Sequence, residues 1–257
     1  MTVGFLLGDA TKEAANANPD VPFTIVDYAY ADGDITNNNV LGQVFNTDEA
    51  AFLAGYLAAG MSKTGKVGTF GGVNIPPVTI FMDGFYYGVQ QYNADNGTDV
   101  KVIGWDPKKQ KGLFTENFES LDDGRTFAQN LVDEGADIVM PVAGPVGLGS
   151  AALATELGTD KLMIIGVDSD QFESDTANSA VYLTSVLKNM DVTTFNAIKS
   201  VVDGTFEGGV TVGTLENGGV GLAPYHDMES MVPAELAAQI DTIKAGIIDG
   251  SVSVKGE

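Results

Sequence analysis

Five residues that lean towards β structure, Met163 to Val167, run straight into Asp168, Ser169 and Asp170 in the string MIIGVDSDQ. A strand that stops in carboxylates is a chemical signal, because open α/β sheets bind ligands outside the carboxyl ends of their strands. Asp168 and Asp170 together suit a vicinal diol, since one carboxylate accepts hydrogen bonds from two adjacent hydroxyls. The same side chains also serve to cap the following loop through Asx-type bonds. Lys188 ends the next strand candidate and either reaches the same cleft or sits on the solvated surface. General acid/base work by two acids and a lysine finds no nucleophile or metal signature beside it. The pattern points to a protein that binds a small polar ligand without transforming it.

Composition narrows the classes. With 35 Asp+Glu against 13 Lys+Arg the net charge is −22, which repels phosphate backbones and argues against nucleic acid as a partner. No stretch approaches the roughly 20 apolar residues that a membrane span needs. The absence of Cys removes disulfides, thiolate metal sites and thiol catalysis. His226 is the single histidine, so a histidine metal cluster has no second imidazole, and a surface or packing role is the default. No cofactor and no metal are implied. Apolar content of 44% supports a well-filled core over a length of one large domain or two ordinary ones.

Two glycine motifs invite a phosphate reading. Gly60 to Lys66 fits GxxxxGK, but Val67 follows it and it precedes a strand, whereas a phosphate cradle needs strand–loop–helix order. Gly144-Pro-Val-Gly147-Leu-Gly149 does lie between a strand and a helix. Its Pro145 and its spacing disfavour a dinucleotide, leaving either a helix N-terminus open to a neutral ligand or a tight turn. Gly71-Gly72, after another strand, lets backbone approach a ligand closely or simply turns the chain. Phe45, Phe70, Phe81 and Phe85 are core by default, with one or two placed to stack on a planar ring.

The elements that must position these groups alternate. Strands are expected at 3–7, 23–28, 40–45, 66–70, 100–105, 138–141, 163–167 and 181–187, with short ones at 210–213 and 220–223 around a Gly-rich turn. Helices are expected at 11–18, 47–60, 78–96, 122–134, 147–157, 191–203 and 233–249, Pro76-Pro77 deferring the third until about Val78 and Asp122 or Asp123 capping the fourth. Residues 106–118 read as polar loop. Such alternation implies βαβ units and mostly parallel sheets.

In order along nearly the whole chain, FLLGDATKEAA, PDVPFTIVD, EAAFLAGYLAA, KVGTFGGVNIPPV, DIVMPVAG, GVDSDQ and LTSVLKN resemble the basic membrane protein family. These are lipoprotein substrate-binding components of ABC importers for purine nucleosides. IIGVDSDQ followed by TSVLK is the specific part. The resemblance implies an α/β fold of the periplasmic-binding-protein type, with two doubly wound lobes closing on a ligand in the cleft between them. It implies that Asp168 meets the ribose hydroxyls, that Lys188 is a second polar contact, that Phe45 helps sandwich the base, and that backbone near Gly71, Gly72 and Gly144 lines the cleft. Asp170 joins this set as the second strand-end acid.

It further implies delivery to ABC permease subunits, an extracytoplasmic location at the cell surface or periplasm, and a lipid anchor as the sole link to membrane. Members carry a signal peptide with a lipid-modified Cys, then a strand and helix, before the segment matching Val3. The first lobe is therefore expected to lack its opening strand–helix unit and part of the base-binding contacts. Lobe one is expected at 1–62 and 176–257, lobe two at 63–175. The rival readings are a nucleoside- or sugar-processing enzyme and a ligand-sensing domain of the same fold.

Overall fold

A computed structural model describes residues 1–255. Its strands are β1 (Thr2–Val3), β2 (Phe23–Val26), β3 (Val40–Phe45), β4 (Lys66–Gly71), β5 (Lys101–Ile103), β6 (Trp105–Asp106), β7 (Lys111–Gly112), β8 (Ile138–Val142), β9 (Met163–Asp168), β10 (Tyr182–Lys188), β11 (Gly209–Gly213) and β12 (Val220–Leu222). The helices are α1 (Gly8–Ala17), α2 (Thr47–Met61), α3 (Pro76–Asn96), α4 (Leu121–Asp133), α5 (Val146–Leu157), α6 (Gln171–Ser174), α7 (Met190–Val202) and α8 (Ala234–Asp249).

Most expected elements are present, and the departures have local causes. The first strand is two residues long, because Gly4 turns out of it at φ 108° and Phe5–Leu7 form a 3-10 turn. The Phe5 ring lies 5.2 Å from that of Tyr28. β2 stops before Asp27, which is left-handed at φ 68°. Both prolines of Pro76-Pro77 sit inside the first turn of α3, where a missing N–H costs nothing. Ser120, rather than either aspartate, caps α4 by accepting from the Asp123 amide. The polar stretch after Ile103 contains a hairpin in which Trp105 pairs with Gly112 and Asp106 with Lys111.

Two compact units result: Met1–Asn46 with Lys188–Val220, and Thr47–Leu187 with the chain from Gly221 onward. The boundaries expected at 62 and 176 are thus displaced, and α2 and α8 belong to the second unit. The first unit holds a parallel sheet ordered β1-β2-β3-β11. The second holds a sheet ordered β12-β10-β9-β8-β4-β5, parallel from β10 to β5. The residues read as two strands about one Gly-rich turn therefore enter different sheets. In the second sheet the chain steps outward from β4 to β5, then crosses back to β8 and continues to β9 and β10. Winding reverses between β4 and β8, and such a reversal opens a crevice at the carboxyl ends of the two strands.

Helix α2 explains its own Ala/Gly richness. It is buried almost throughout and lies so close to α3 that a Cβ on Gly55 would stand 2.0 Å from the Phe85 carbonyl oxygen, and one on Gly88 1.9 Å from that of Phe52. That contact ties α2 to the second unit. Gly88→Ala is expected to cost about 1–3 kcal/mol of stability through overpacking; a urea midpoint equal to that of the parent would refute this account of the helix pair.

Candidate ligand-binding site

In the first unit the carboxyl ends of β2 and β3 and the residue that ends β10 come together. Lys188 places its Nζ 3.0 Å from each carboxylate oxygen of Asp27, and 5.8 Å from the centre of the Phe45 ring. Only 6% of the lysine side chain and 17% of the aspartate side chain are exposed, so the default of a solvated surface lysine is corrected. The backbone builds this arrangement. Asp27 leaves β2 in the left-handed conformation, its amide donating to the Gln43 carbonyl on β3. Phe45 ends β3 beside Gly213 of β11, where a Cβ would come within 2.5 Å of the ring. The result is a cation and an aromatic face at a sheet edge, held by a carboxylate.

Asp27 was not singled out in the sequence, although the signal was there. FTIVD runs from β residues into an acid as IIGVD does, and extending the strand to Tyr28 concealed it. Both aspartates are left-handed, Asp27 at φ 68° and Asp168 at φ 69°, a conformation that short polar side chains tolerate.

In the second unit Asp168 is the last residue of β9, in register with Leu187, and is half-buried. Asp170, two residues on, caps α6: its side chain accepts from the Phe172 amide at 3.2 Å. Its other oxygen lies 2.7 Å from His226 Nε2, so both oxygens are engaged within the protein. Gly71 and Gly72 end β4 at the winding reversal. Their amides donate to Leu113 and Val142, and their carbonyls accept from Thr115 and Glu116. A Cβ on either would run into the ring of Phe114 or Phe118. What approaches these glycines closely is the 113–118 segment. Gly144, at φ 52° after β8, has open space where a Cβ would lie, and its carbonyl accepts from the Gly147 amide in the turn into α5.

The segment covering β4 is anchored by the hairpin. Trp105 donates through Nε1 to Asp83 of α3 at 2.8 Å, and Gln110 adds a second donor to the same carboxylate. Burial pushes the Asp83 carboxyl above its ordinary value, against the pull of those two bonds. Among the described residues no three His, Cys, Asp or Glu side chains gather as a metal site. No helix among them is long and apolar enough to cross a membrane.

Two units, each a parallel sheet with its polar groups gathered at carboxyl ends, define a solute-binding protein of the periplasmic-binding-protein type. The structural likeness is strong: a solute-binding protein of an ABC transporter system from Aeropyrum pernix superposes with a TM-score of 0.85 at 27% identity, covering 98% of this chain and 75% of that one. A transcriptional activator of the comK gene from Bacillus halodurans shares the fold, with a TM-score of 0.75 at 21% identity over 97% of this chain and 78% of its own.

The chain belongs to the Bmp family, described as ABC transporter substrate-binding protein PnrA-like, whose profile matches residues 1–257. Basic membrane protein A1 of Borrelia garinii subsp. bavariensis is 33% identical over 254 residues, covering 98% of this chain and 69% of the relative. The ABC transporter nucleoside-binding protein BmpA of Lactococcus lactis subsp. cremoris is 32% identical over 264 residues, with the same two coverages. Proteins of this class bind solutes outside the cytoplasm and work with the permease subunits of ABC transporters.

Two measurements check the geometry. Lys188→Met removes the ammonium from the Asp27 carboxylate in a mostly dry place and is expected to cost about 3 kcal/mol. Adding Asp27→Asn is expected to recover part of that loss, with a coupling of about 1 kcal/mol or more in a double-mutant cycle; strictly additive losses would rule the pair out. The second measurement uses Trp105, the single tryptophan. Because the folded-state value of Asp83 is raised, its contribution to stability is fullest below the unfolded value of 3.8 and is lost as pH rises through the folded value. Trp105 emission is expected to titrate with a midpoint above 3.8, and Asp83→Asn is expected to abolish that transition. A midpoint at or below the ordinary value would contradict the burial.

Proposed function

We propose that this chain binds a purine nucleoside and delivers it to the permease of an ABC importer, held at the outer face of the plasma membrane by a lipid anchor. The observation that carries the reading is the Asp168 carboxylate, set at the carboxyl end of β9 in a left-handed conformation. A ribose offers two adjacent hydroxyls, and an ionised carboxylate accepts from both in one plane. Lys188 and the Phe45 ring, held by Asp27, supply a donor and a flat apolar face of the kinds a purine base engages. Gly144, open above its Cα, leaves room for backbone to approach the guest. The relative from Lactococcus lactis is described as nucleoside-binding, which supports the same ligand class. A neutral guest also fits the net charge of −22, since a strongly anionic one would have to enter against that field.

Isothermal titration with adenosine, guanosine and inosine is expected to give saturable binding with the nucleoside recovered intact by chromatography. Release of free base would establish an enzyme instead. Asp168→Ala is expected to weaken binding by about 1.5–3 kcal/mol, the range for a hydrogen bond to a charged group. Folded protein that ignores all three nucleosides would sink the ligand class, and an unchanged affinity in the variant would remove Asp168 from the site.

A further inference from the structure

The lone histidine is not a bystander in the second unit. His226 begins the 3-10 segment His226–Met231 that follows β12, and its Nε2 lies 2.7 Å from Asp170 Oδ2. Its ring stacks on Phe172 with centroids 4.0 Å apart and planes within 8°. One side chain thus grips both a residue before α6 and a residue inside it. Asp170 uses its remaining oxygen to hold the Phe172 amide, and its carbonyl accepts from Ser174.

The same loop is also held from β10, where Ser185 Oγ accepts from the Gln171 amide at 3.1 Å. Just before both holds lies Asp168, left-handed at φ 69°, a backbone state that persists where its surroundings over-determine it. The turn of Ser169 back onto the Val167 carbonyl leaves one residue, Ser169, between Asp168 and the clamped Asp170.

We propose that His226 is a positioning residue: through Asp170 and Phe172 it fixes the Asp168–Phe172 loop in the conformation that presents the Asp168 carboxylate. The hydrogen bond sets the loop's distance from the 3-10 segment, and the ring stack sets its tilt. The proposal deepens the nucleoside reading and rests on it for the identity of the guest. The clamp itself is made of this chain's own side chains and can be read without a guest.

Two variants separate the donor from the ring. His226→Phe keeps a ring to stack on Phe172 and loses the donor, whereas His226→Gln loses the ring and keeps an amide N–H of similar reach. Hydrogen exchange in the ligand-free protein is read at the Phe172 amide, with the amides of Ile164 to Val167 as internal control. His226→Phe is expected to speed Phe172 exchange about tenfold while the control amides hold, and His226→Gln is expected to stay near the parent. Nucleoside titration of the same proteins is expected to show about five- to tenfold weaker binding for His226→Phe, with substantial recovery in His226→Gln.

Unchanged exchange at Phe172 in His226→Phe would overturn the clamp. Faster exchange with unchanged nucleoside affinity would overturn its role in presenting Asp168. Should the parent bind no nucleoside, the ligand reading fails by itself, and the exchange measurement still decides the clamp.

Discussion

An ammonium with 6% of its side chain exposed has to meet a carboxylate, and the first unit is arranged so that it does. Removing both charges from water costs several kcal/mol each, and mutual attraction offsets this only when geometry is good. Lys188 Nζ sits equidistant from both oxygens of Asp27, with the Phe45 ring beneath it. That arrangement demands that β2 end two residues early, that Asp27 turn left-handed, and that β11 carry glycine at 213 so that the Phe45 ring has room. One ion pair thereby joins the residue after β2 to the residue that ends β10, beside the Phe45 ring of β3. A bare lysine on a loop would wander through its rotamers; this one is held in a single place.

The second unit reaches the same kind of edge by a different device. There the parallel ladder gathers the carboxyl ends of β4, β8 and β9, and the reversal of winding between β4 and β8 keeps a helix from crossing over that point. The sheet in turn is backed by α2 and α3, pressed together through glycines whose missing side chains let carbonyl oxygens take their place. Gly71 and Gly72 repeat that economy at the strand end, admitting Phe114 and Phe118. These rings dock onto the sheet and carry the hairpin that Trp105 pins to Asp83. Small residues in this unit therefore mark places where chain packs on chain.

Two acids two residues apart, Asp168 and Asp170, end up in different employment. Asp170 is fully occupied as a cap and as the partner of His226. Asp168 terminates the strand itself, in a left-handed backbone state. The capping interpretation of the DSD string thus falls to Asp170.

Sequence alone determined the alternation of strands and helices, because burial of a parallel sheet on both faces writes itself as short apolar runs between helical periods. It also determined the family, through strings such as IIGVDSDQ and TSVLK that are contiguous in the chain. Asp168 was legible because a strand stopping in an acid is a local pattern. Tertiary structure decided the rest. The partnership of Lys188 with Asp27 joins residues 161 positions apart, that of His226 with Asp170 spans 56, and α2 changed units through its contact with α3. None of these has a local signature, since the free energy that selects them is that of burying a charge, a ring or a helix face against a surface that exists only after the chain has folded.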